Sequence, residues 1–213
     1  MVDVLRYMIE HEREILALTL QHVWLALIAV AISTPIGVAC GILLSRVRVL
    51  AAPVIGLAGI FYTIPSLALF GFLIPWMGIG VRPALVALVL YAQLVLVRNT
   101  FVGIASVDPA ALEAGHGMGM RGGQLLTLVE LPLALPVVMA GIRTTAVMSI
   151  GIAAIASYIG AGGLGTLIFQ GISRVDPVLT LSGAIPVSLL AIATDAGLAR
   201  LEHVLGPWAH GES

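Results

Sequence analysis

Long apolar stretches with few charged residues dominate this chain. Three of them, Ile15–Ser45, Val49–Val81 and Thr144–Ser173, contain no Asp, Glu, Lys or Arg. Each is longer than the roughly 20 residues that a helix needs to cross a membrane, where a charge is costly. The stretches also lack the alternating pattern and the length of about ten residues that membrane barrel strands have. The pattern therefore predicts membrane-spanning helices.

Two further apolar segments each carry one charged residue near an end, Arg98 in Pro83–Ile104 and Asp195 in Val178–Ala199. Each of the three charge-free stretches holds one helix, and these two segments add one helix each. We therefore expect an all-α polytopic membrane protein with five transmembrane helices in a single domain, residues 1–213. The predicted spans are residues 15–45, 54–75, 83–104, 133–157 and 178–199. The N-terminal segment 1–14 is expected to lie at the membrane interface, where residues 3–14 form a short amphipathic helix with Leu5, Met8 and Ile9 facing lipid.

The distribution of arginine predicts the orientation. Five spans place the two termini on opposite sides, and cytoplasmic loops carry the excess of positive charge. With the N-terminus outside, six of the ten cationic residues lie inside: Arg46, Arg48, Arg98, Arg121, Arg143 and Arg200. Trp24 and Trp76 then fall near the outer interface, which suits aromatic rings. The prediction is N-out and C-in, with the polar connection 105–131 in the cytoplasm.

Composition excludes several classes of protein. Hydrophobic residues make up 60% of the chain and charged residues 10%, against about 45–50% and a quarter in a soluble domain. A net charge of -1 gives no basic surface for nucleic acid. The lone Cys40 provides neither a disulfide nor a Cys/His cluster, so we expect no metal site. The high apolar content indicates that most of the protein surface contacts lipid.

A glycine-rich segment, Gly160–Gly165, formally fits the G-x-G-x-x-G dinucleotide pattern. No strand precedes it and no acid follows at the required spacing of about 20 residues, so we reject this interpretation. The segment also lacks the Gly-Lys-Ser/Thr end of an ATP-binding loop. A flexible turn at the outer mouth is expected, followed by a short interfacial helix near 166–172.

Pro65 lies inside the second predicted span and removes one backbone donor there. We expect a kink at this position, with Thr63 and Ser66 bonding to the backbone groups that it frees. The kink has two interpretations, a packing feature or the lining of a transport path, since broken helices recur at transport sites. Both remain open at the sequence level.

Three ionisable residues, Arg98, Arg143 and Asp195, fall toward the inner ends of their spans. We expect structural pairing across helices rather than a proton pathway. His22, near the outer boundary, is expected to be a packed or hydrogen-bonded histidine.

The cytoplasmic connection begins with a helix signal, because Asp108 is a good N-cap and Pro109 suits the first helical position. Several glycines follow. They indicate either a flexible loop or a backbone that must turn tightly and be approached closely.

In this connection, Glu113-Ala114-Gly115, then Gly119, Val129 and Leu131-Pro132 resemble the EAA coupling motif of ABC-importer permeases. Two positions depart from that pattern, Gly115 for its second alanine and Val129 for its isoleucine. The chain is also similar to permeases for glycine betaine, carnitine and choline over most of its length. The segments that carry this similarity are Gln21–Val23, Thr63–Phe70, Gly78–Gly80, Leu90–Tyr91, Arg98–Thr100, Val107–Pro109, Gly117–Met120, Glu130–Leu133, Ala140–Arg143 and Ile159–Gly165.

The resemblance implies a transport subunit that is not an enzyme, in the inner membrane of a bacterium. Its expected partners are a cytoplasmic ABC ATPase dimer, a second permease subunit, identical or related, and an extracytoplasmic binding protein. This chain would hold no cofactor, since ATP and magnesium would bind to the ATPase. Only about a dozen residues follow Arg200, so the binding protein is expected to be a separate chain.

Two sets of site residues follow from the resemblance and the kink. The ATPase-coupling candidates are Asp108, Glu113, Ala114, Gly115, Gly119, Leu131 and Pro132. The candidates for a translocation path or gate are Tyr62, Pro65, Ser66, Tyr91, Asn99, Gly160, Gly162 and Gly163.

Alternative functions remain at this stage. A permease for another small solute such as methionine shares the five-span plan. A self-sufficient secondary carrier or channel needs only the second span as its route. A structural scaffold explains the spans but leaves the spacing from Glu113 to Pro132 unexplained.

Overall fold

The computed structural model describes residues 2–205, and within that range all regular structure is helical. The helices are α1 (Val2–Glu10), α2 (Glu12–Arg46), α3 (Ala51–Thr63), α4 (Ser66–Met77), α5 (Val81–Ala105), α6 (Pro109–Gly117), α7 (Gly122–Leu125), α8 (Leu131–Ala156), α9 (Gly165–Arg174) and α10 (Pro177–Leu205). Short 3-10 turns lie at Arg48–Leu50 and Ser157–Ile159, and a π-helical segment, Leu126–Glu130, joins α7 to α8.

Four continuous stretches of helix are long and apolar enough to cross a membrane: Glu12–Arg46, Val81–Ala105, Gly122–Ile159 and Pro177–Val204. They contain four of the five spans predicted from the sequence. The fifth candidate is the pair formed by α3 and α4, which meet at an angle of 95°.

The sequence predicted a kinked but continuous helix at Pro65. This is wrong, because the helix ends before Pro65 and a separate helix begins after it. Ile64 and Pro65 adopt extended backbone angles. The carbonyl oxygen of Ile64 accepts a hydrogen bond of 2.5 Å from the hydroxyl of Tyr91 on α5. The expected local bond from Thr63 is present, but it goes back to the carbonyl of Ile60. A side chain of another helix thus provides the hydrogen-bond donor for a backbone carbonyl at the break, where the two helices meet nearly at a right angle.

The centre of the bundle is α5, which packs between α2 and α8. Small residues on α2 permit this contact. A Cβ added to Gly37 would clash with Leu96, and one added to Gly41 would lie 2.5 Å from the Cβ of Thr100. Ser33, one turn before Gly37, is fully buried. Without a hydrophobic drive between helices in lipid, such small positions let two backbones approach closely.

Two sets of contacts define the ends of the bundle. At one end, Arg46 of α2 is bound to Glu130, immediately before α8. At the other end, the backbone N–H of Gly80 donates to the carbonyl of Ile159, just after α8, over 2.8 Å. Because α8 has 26 residues, it separates these ends by about 39 Å.

The two predicted surface helices are present. Helix α1 ends at Glu10, and Leu5 and Ile9 are exposed as expected. Met8, by contrast, packs with Tyr7 against the cluster around Ile15, so only part of the predicted lipid-facing set is exposed. Helix α9 lies where the interfacial helix was predicted and packs on α10.

Candidate coupling surface and translocation path

Helix α6 begins as the sequence predicts. The Asp108 carboxylate accepts a hydrogen bond of 2.8 Å from the backbone N–H of Ala110, and Pro109 is the first helical residue. The cap satisfies one of the donors left free at a helix start. This nine-residue helix therefore has a defined first turn although it lies outside the long helices.

The end of α6 is equally defined, because Gly119 reverses the chain. Its φ is +79°, a value that glycine adopts without strain. The N–H of Gly119 donates to the carbonyl of His116 and that of Met120 donates to the carbonyl of Gly115. These two bonds form a Schellman motif. The chain therefore turns tightly at Gly119, as the second of the two alternatives for the glycines predicts, and does not form an irregular loop at this position.

One side of α6 is fixed to the rest of the protein through Gly115. A Cβ added there would lie 2.5 Å from the Cδ1 of Leu125 and 3.7 Å from the Cγ2 of Val129. Gly115 is buried, whereas Glu113 and Ala114 are exposed. The structure therefore gives Gly115 a packing position and leaves Glu113 and Ala114 on the free side of the helix.

The two remaining coupling candidates lie where α8 begins. Leu131 is partly buried against the cluster of Ile104, Ala134 and Val138, and Pro132 is exposed in the first turn of α8. These positions continue directly from the π-helical segment that carries Val129. The seven coupling candidates thus lie along one continuous piece of chain at the end of the bundle marked by Arg46.

Tyr62, Ser66 and Tyr91 line one cavity of about 350 Å³ at the break between α3 and α4. The rings of Tyr62 and Tyr91 meet edge to face with their centroids 6.2 Å apart. Met148 and Gly151 of α8 form the other wall. The fold therefore brings together three candidates that the sequence separates.

A second cavity of about 500 Å³ continues on the other side of Tyr62, between α5 and α8. Asn99, Arg98 and Thr144 contribute its polar groups. The Asn99 amide donates to the carbonyl of Val95 in its own helix. Because Tyr62 borders both cavities, four of the eight path candidates share one face of the molecule, and Pro65 lies in the break beside them.

The three glycines of the path set lie elsewhere, in the loop after α8. The N–H of Gly163 donates to the side-chain oxygen of Gln21 over 3.0 Å. A Cβ on Gly162 would clash with the same side chain, and one on Gly163 would lie 2.9 Å from Nδ1 of His22. Gly160, Gly162 and Gly163 all have positive φ. This loop packs tightly on α2, so these glycines do not join the Tyr62 cavities.

Two predicted structural roles are present within the bundle, although Arg143 lies at the middle of α8 and not toward its inner end as predicted. The guanidinium of Arg143 on α8 donates to both carboxylate oxygens of Asp195 on α10, at 2.5 and 2.8 Å. His22 is fully buried and its Nε2 lies 3.0 Å from the carbonyl oxygen of Ile150. Arg98 differs from the expectation, since it is exposed and has no ion-pair partner among residues 2–205.

Sequence reasoning missed the pair formed by Arg46 and Glu130. Arg46 Nη1 donates to Glu130 Oε1 over 2.8 Å, and Arg46 Nη2 bonds to Glu130 Oε2. A signal was available, because Glu130 is an isolated acid at the start of an apolar span and such groups are paired in membranes. The opposite charge at the end of the first span was the partner to consider.

Comparison with known proteins agrees with this arrangement. Residues 33–205 match the family of inner membrane components of binding-protein-dependent transport systems. The match covers most of the chain, so this protein belongs to that family. It is a multi-pass inner-membrane transport component.

Particular relatives are similar over nearly the whole length. The osmoprotectant import permease protein OsmW of Salmonella typhimurium is 47% identical, covering 97% of this chain and 98% of the relative. The carnitine transport permease protein OpuCB of Listeria monocytogenes is 46% identical, with coverages of 96% and 94%. The choline transport system permease protein OpuBB of Bacillus subtilis is 43% identical, with coverages of 97% and 95%.

Among solved structures, the chain resembles a subunit of the inward-facing MetNI methionine ABC transporter. The TM-score is 0.81 at 21% identity, with 90% of this chain and 95% of the other covered. At this identity the resemblance concerns the fold alone.

Proposed function

We propose that this chain is the permease subunit of an ABC importer for osmoprotectants such as glycine betaine, carnitine or choline. A separate binding protein delivers the solute, and alternating access moves it across the membrane. The observation that carries the proposal is helix α6, a capped helix at one end of the bundle with Glu113 and Ala114 exposed. The names of the relatives supply the class of solute.

The proposed topology has five spans, N-out and C-in. The contacts of the two ends support it, since Arg46 meets the start of α8 and Gly80 meets its end. The α-helices between these residues are α3 and α4, which supports a bent pair that crosses the bundle as one broken span. Trp24 and Trp76 are exposed toward the end marked by Gly80, which suits the outer interface.

In this topology α6 is cytoplasmic and acts as the coupling helix. An ABC ATPase dimer, which holds ATP and magnesium, contacts its exposed side around Glu113. Closure of that dimer moves α6, together with the corresponding helix of a second permease subunit, and shifts the population from inward-open toward outward-open. ATP hydrolysis is thus performed by the partner and this chain is no enzyme.

The path is proposed to follow the face shared by the two Tyr62 cavities. A quaternary ammonium group is attracted to the faces of aromatic rings, and Tyr62 and Tyr91 provide two rings at the helix break. Two rings do not enclose a cation as a full cage does. Tight recognition is therefore assigned to the binding protein, and the permease provides a weak passage site.

Uptake by the reassembled complex tests the function. Proteoliposomes containing the permease, its ATPase and its binding protein are expected to accumulate radiolabelled glycine betaine, carnitine or choline only when ATP is present. Uptake by the permease alone would instead support a secondary carrier, and uptake of methionine would support the other ABC solute class.

Glu113→Lys tests the coupling surface. Glu113 is exposed, so the variant is expected to insert and to keep α6 while losing ATP-driven uptake. Glu12→Lys is the matched control, because it makes the same charge change at the exposed start of α2. Normal transport by Glu113→Lys would contradict the assignment.

A further inference from the structure

The pair formed by Arg46 and Glu130 has a geometry that suits the transmission of movement. Two parallel hydrogen bonds join the guanidinium and the carboxylate, so both the separation and the relative orientation of the groups are fixed. The Glu130 side chain is 5% exposed and that of Arg46 is 44% exposed. Glu130 is the one buried acid among the residues whose burial the structure describes.

The position of this pair matters because Glu130 shares a segment with the packing partners of α6. Leu125 and Val129, together with Met120, lie within 4 Å of a Cβ placed at Gly115. Leu125 and Val129 lie five residues and one residue before Glu130. On its other side, this segment reaches α2 through Arg46 and through Ile42, which packs with Leu126 and Leu131 in one cluster. A continuous series of contacts therefore leads from α6 to the end of α2.

The backbone of Leu126–Glu130 is π-helical. A π turn accommodates an additional residue relative to α-helical winding and is frequent at functional positions. Since each α-helical residue turns the chain by about 100°, the winding here decides which side Glu130 faces. In this structure it faces Arg46 and is buried.

We propose that Arg46 and Glu130 are positioning residues that transmit displacement of α6 to α2 during transport. The inference rests on the proposed function, in which an ATPase displaces α6. The pair makes the stretch formed by α7 and the π-helical residues Leu126–Glu130 a rigid link. Helix α6 moves this stretch through Leu125 and Val129, and the stretch moves α2 through the bidentate bond. Without the bond, α6 would move against a segment that no longer holds α2.

The test compares uptake with ATP hydrolysis in proteoliposomes containing the whole complex. Glu130→Gln keeps the shape of the side chain and removes its charge, which leaves the half-exposed Arg46 guanidinium without its charge partner. Arg46→Lys keeps the positive charge and loses the bidentate bond. Arg48→Gln is the matched control, since Arg48 is exposed two residues further along.

We expect both variants at the pair to assemble with the ATPase and to hydrolyse ATP, while the solute transported per ATP falls by about tenfold or more. The control is expected to transport normally. The charge-reversed double variant R46E/E130R is expected to recover most of the lost coupling, because it restores an opposite-charge pair between the same two positions.

Three results would overturn the proposal. Arg46→Lys and Glu130→Gln could keep the transport stoichiometry of the native complex. Both could lose assembly and transport together without rescue by charge reversal, which would mark a purely structural pair. ATP hydrolysis and uptake could also fall in proportion, which would place the defect in the ATPase contact. Failure of the proposed function itself is distinguishable, since the native complex would then show no ATP-dependent uptake.

Discussion

Replacing Gly41 by alanine tests the close packing of α2 on α5. The added Cβ would lie 2.5 Å from the Cβ of Thr100 and 2.9 Å from the carbonyl oxygen of Val97. Carbon atoms in favourable contact are about 3.5–4.0 Å apart. Neither obstacle can rotate away, because one is a Cβ and the other is backbone. The two helices must therefore separate locally by about 1 Å.

The expected cost follows from that separation. A gap of this size forfeits about a quarter to a half of each van der Waals contact that it affects. Overpacked sites lose about 1–3 kcal/mol. For a chain of this length, each kcal/mol corresponds to about 2–4 °C in Tm. We therefore expect Gly41→Ala to lower the Tm by about 2–12 °C.

The assay is the fraction of monodisperse protein that survives heating in detergent, measured by size-exclusion chromatography. Gly56→Ala is the matched control, because a Cβ there would meet nothing within 4 Å inside this chain. It is expected to melt within about 2 °C of the native protein. If Gly41→Ala melted together with this control, α2 and α5 would not be in contact at this depth, and the packing described for the bundle would be refuted.

Three smaller predictions address other contacts. Tyr91→Phe removes the hydroxyl that satisfies the carbonyl at the helix break, so the free energy of unfolding should fall by about 1–3 kcal/mol; an unchanged Tm would show that the bond is dispensable. Gly119→Ala, at positive φ, should destabilise the protein by about 1 kcal/mol, and amide exchange in α6 should rise; Gly117→Ala is its control, with open space at the Cβ. Asp195→Asn removes the charge that pairs with Arg143 and weakens the bidentate bond between α8 and α10, so the Tm should fall; an unchanged Tm would show that the pair contributes nothing to stability.

The local features of α6 could be predicted from sequence because neighbouring residues produce them. Asp108 and Pro109 specify a helix start through their own side chains. Gly119 permits the left-handed turn that ends the helix. The burial of Gly115 could not be predicted, because it depends on Leu125, which reaches α6 only after the chain has turned.

Long-range contacts decided the rest of the candidate site. Pro65 indicates an interruption, but the donor to the carbonyl of Ile64 at this break is the hydroxyl of Tyr91, 26 residues beyond Pro65. The same fold separates Gly163 from the Tyr62 cavities by packing it on His22 and Gln21. In the sequence, Pro65 and Gly163 have in common only that each residue type indicates an irregular backbone.

The sequence by itself determined that this is a helical membrane protein with a capped helix in its polar connection, since apolar length and capping chemistry act within a few residues of each other. Only the tertiary structure decided that α3 and α4 meet at 95° and that Arg46 holds the carboxylate of Glu130. The physical reason is distance along the chain. A charge or a freed carbonyl shows that a partner is required, whereas the partner is selected when the packed helices bring one within hydrogen-bonding reach.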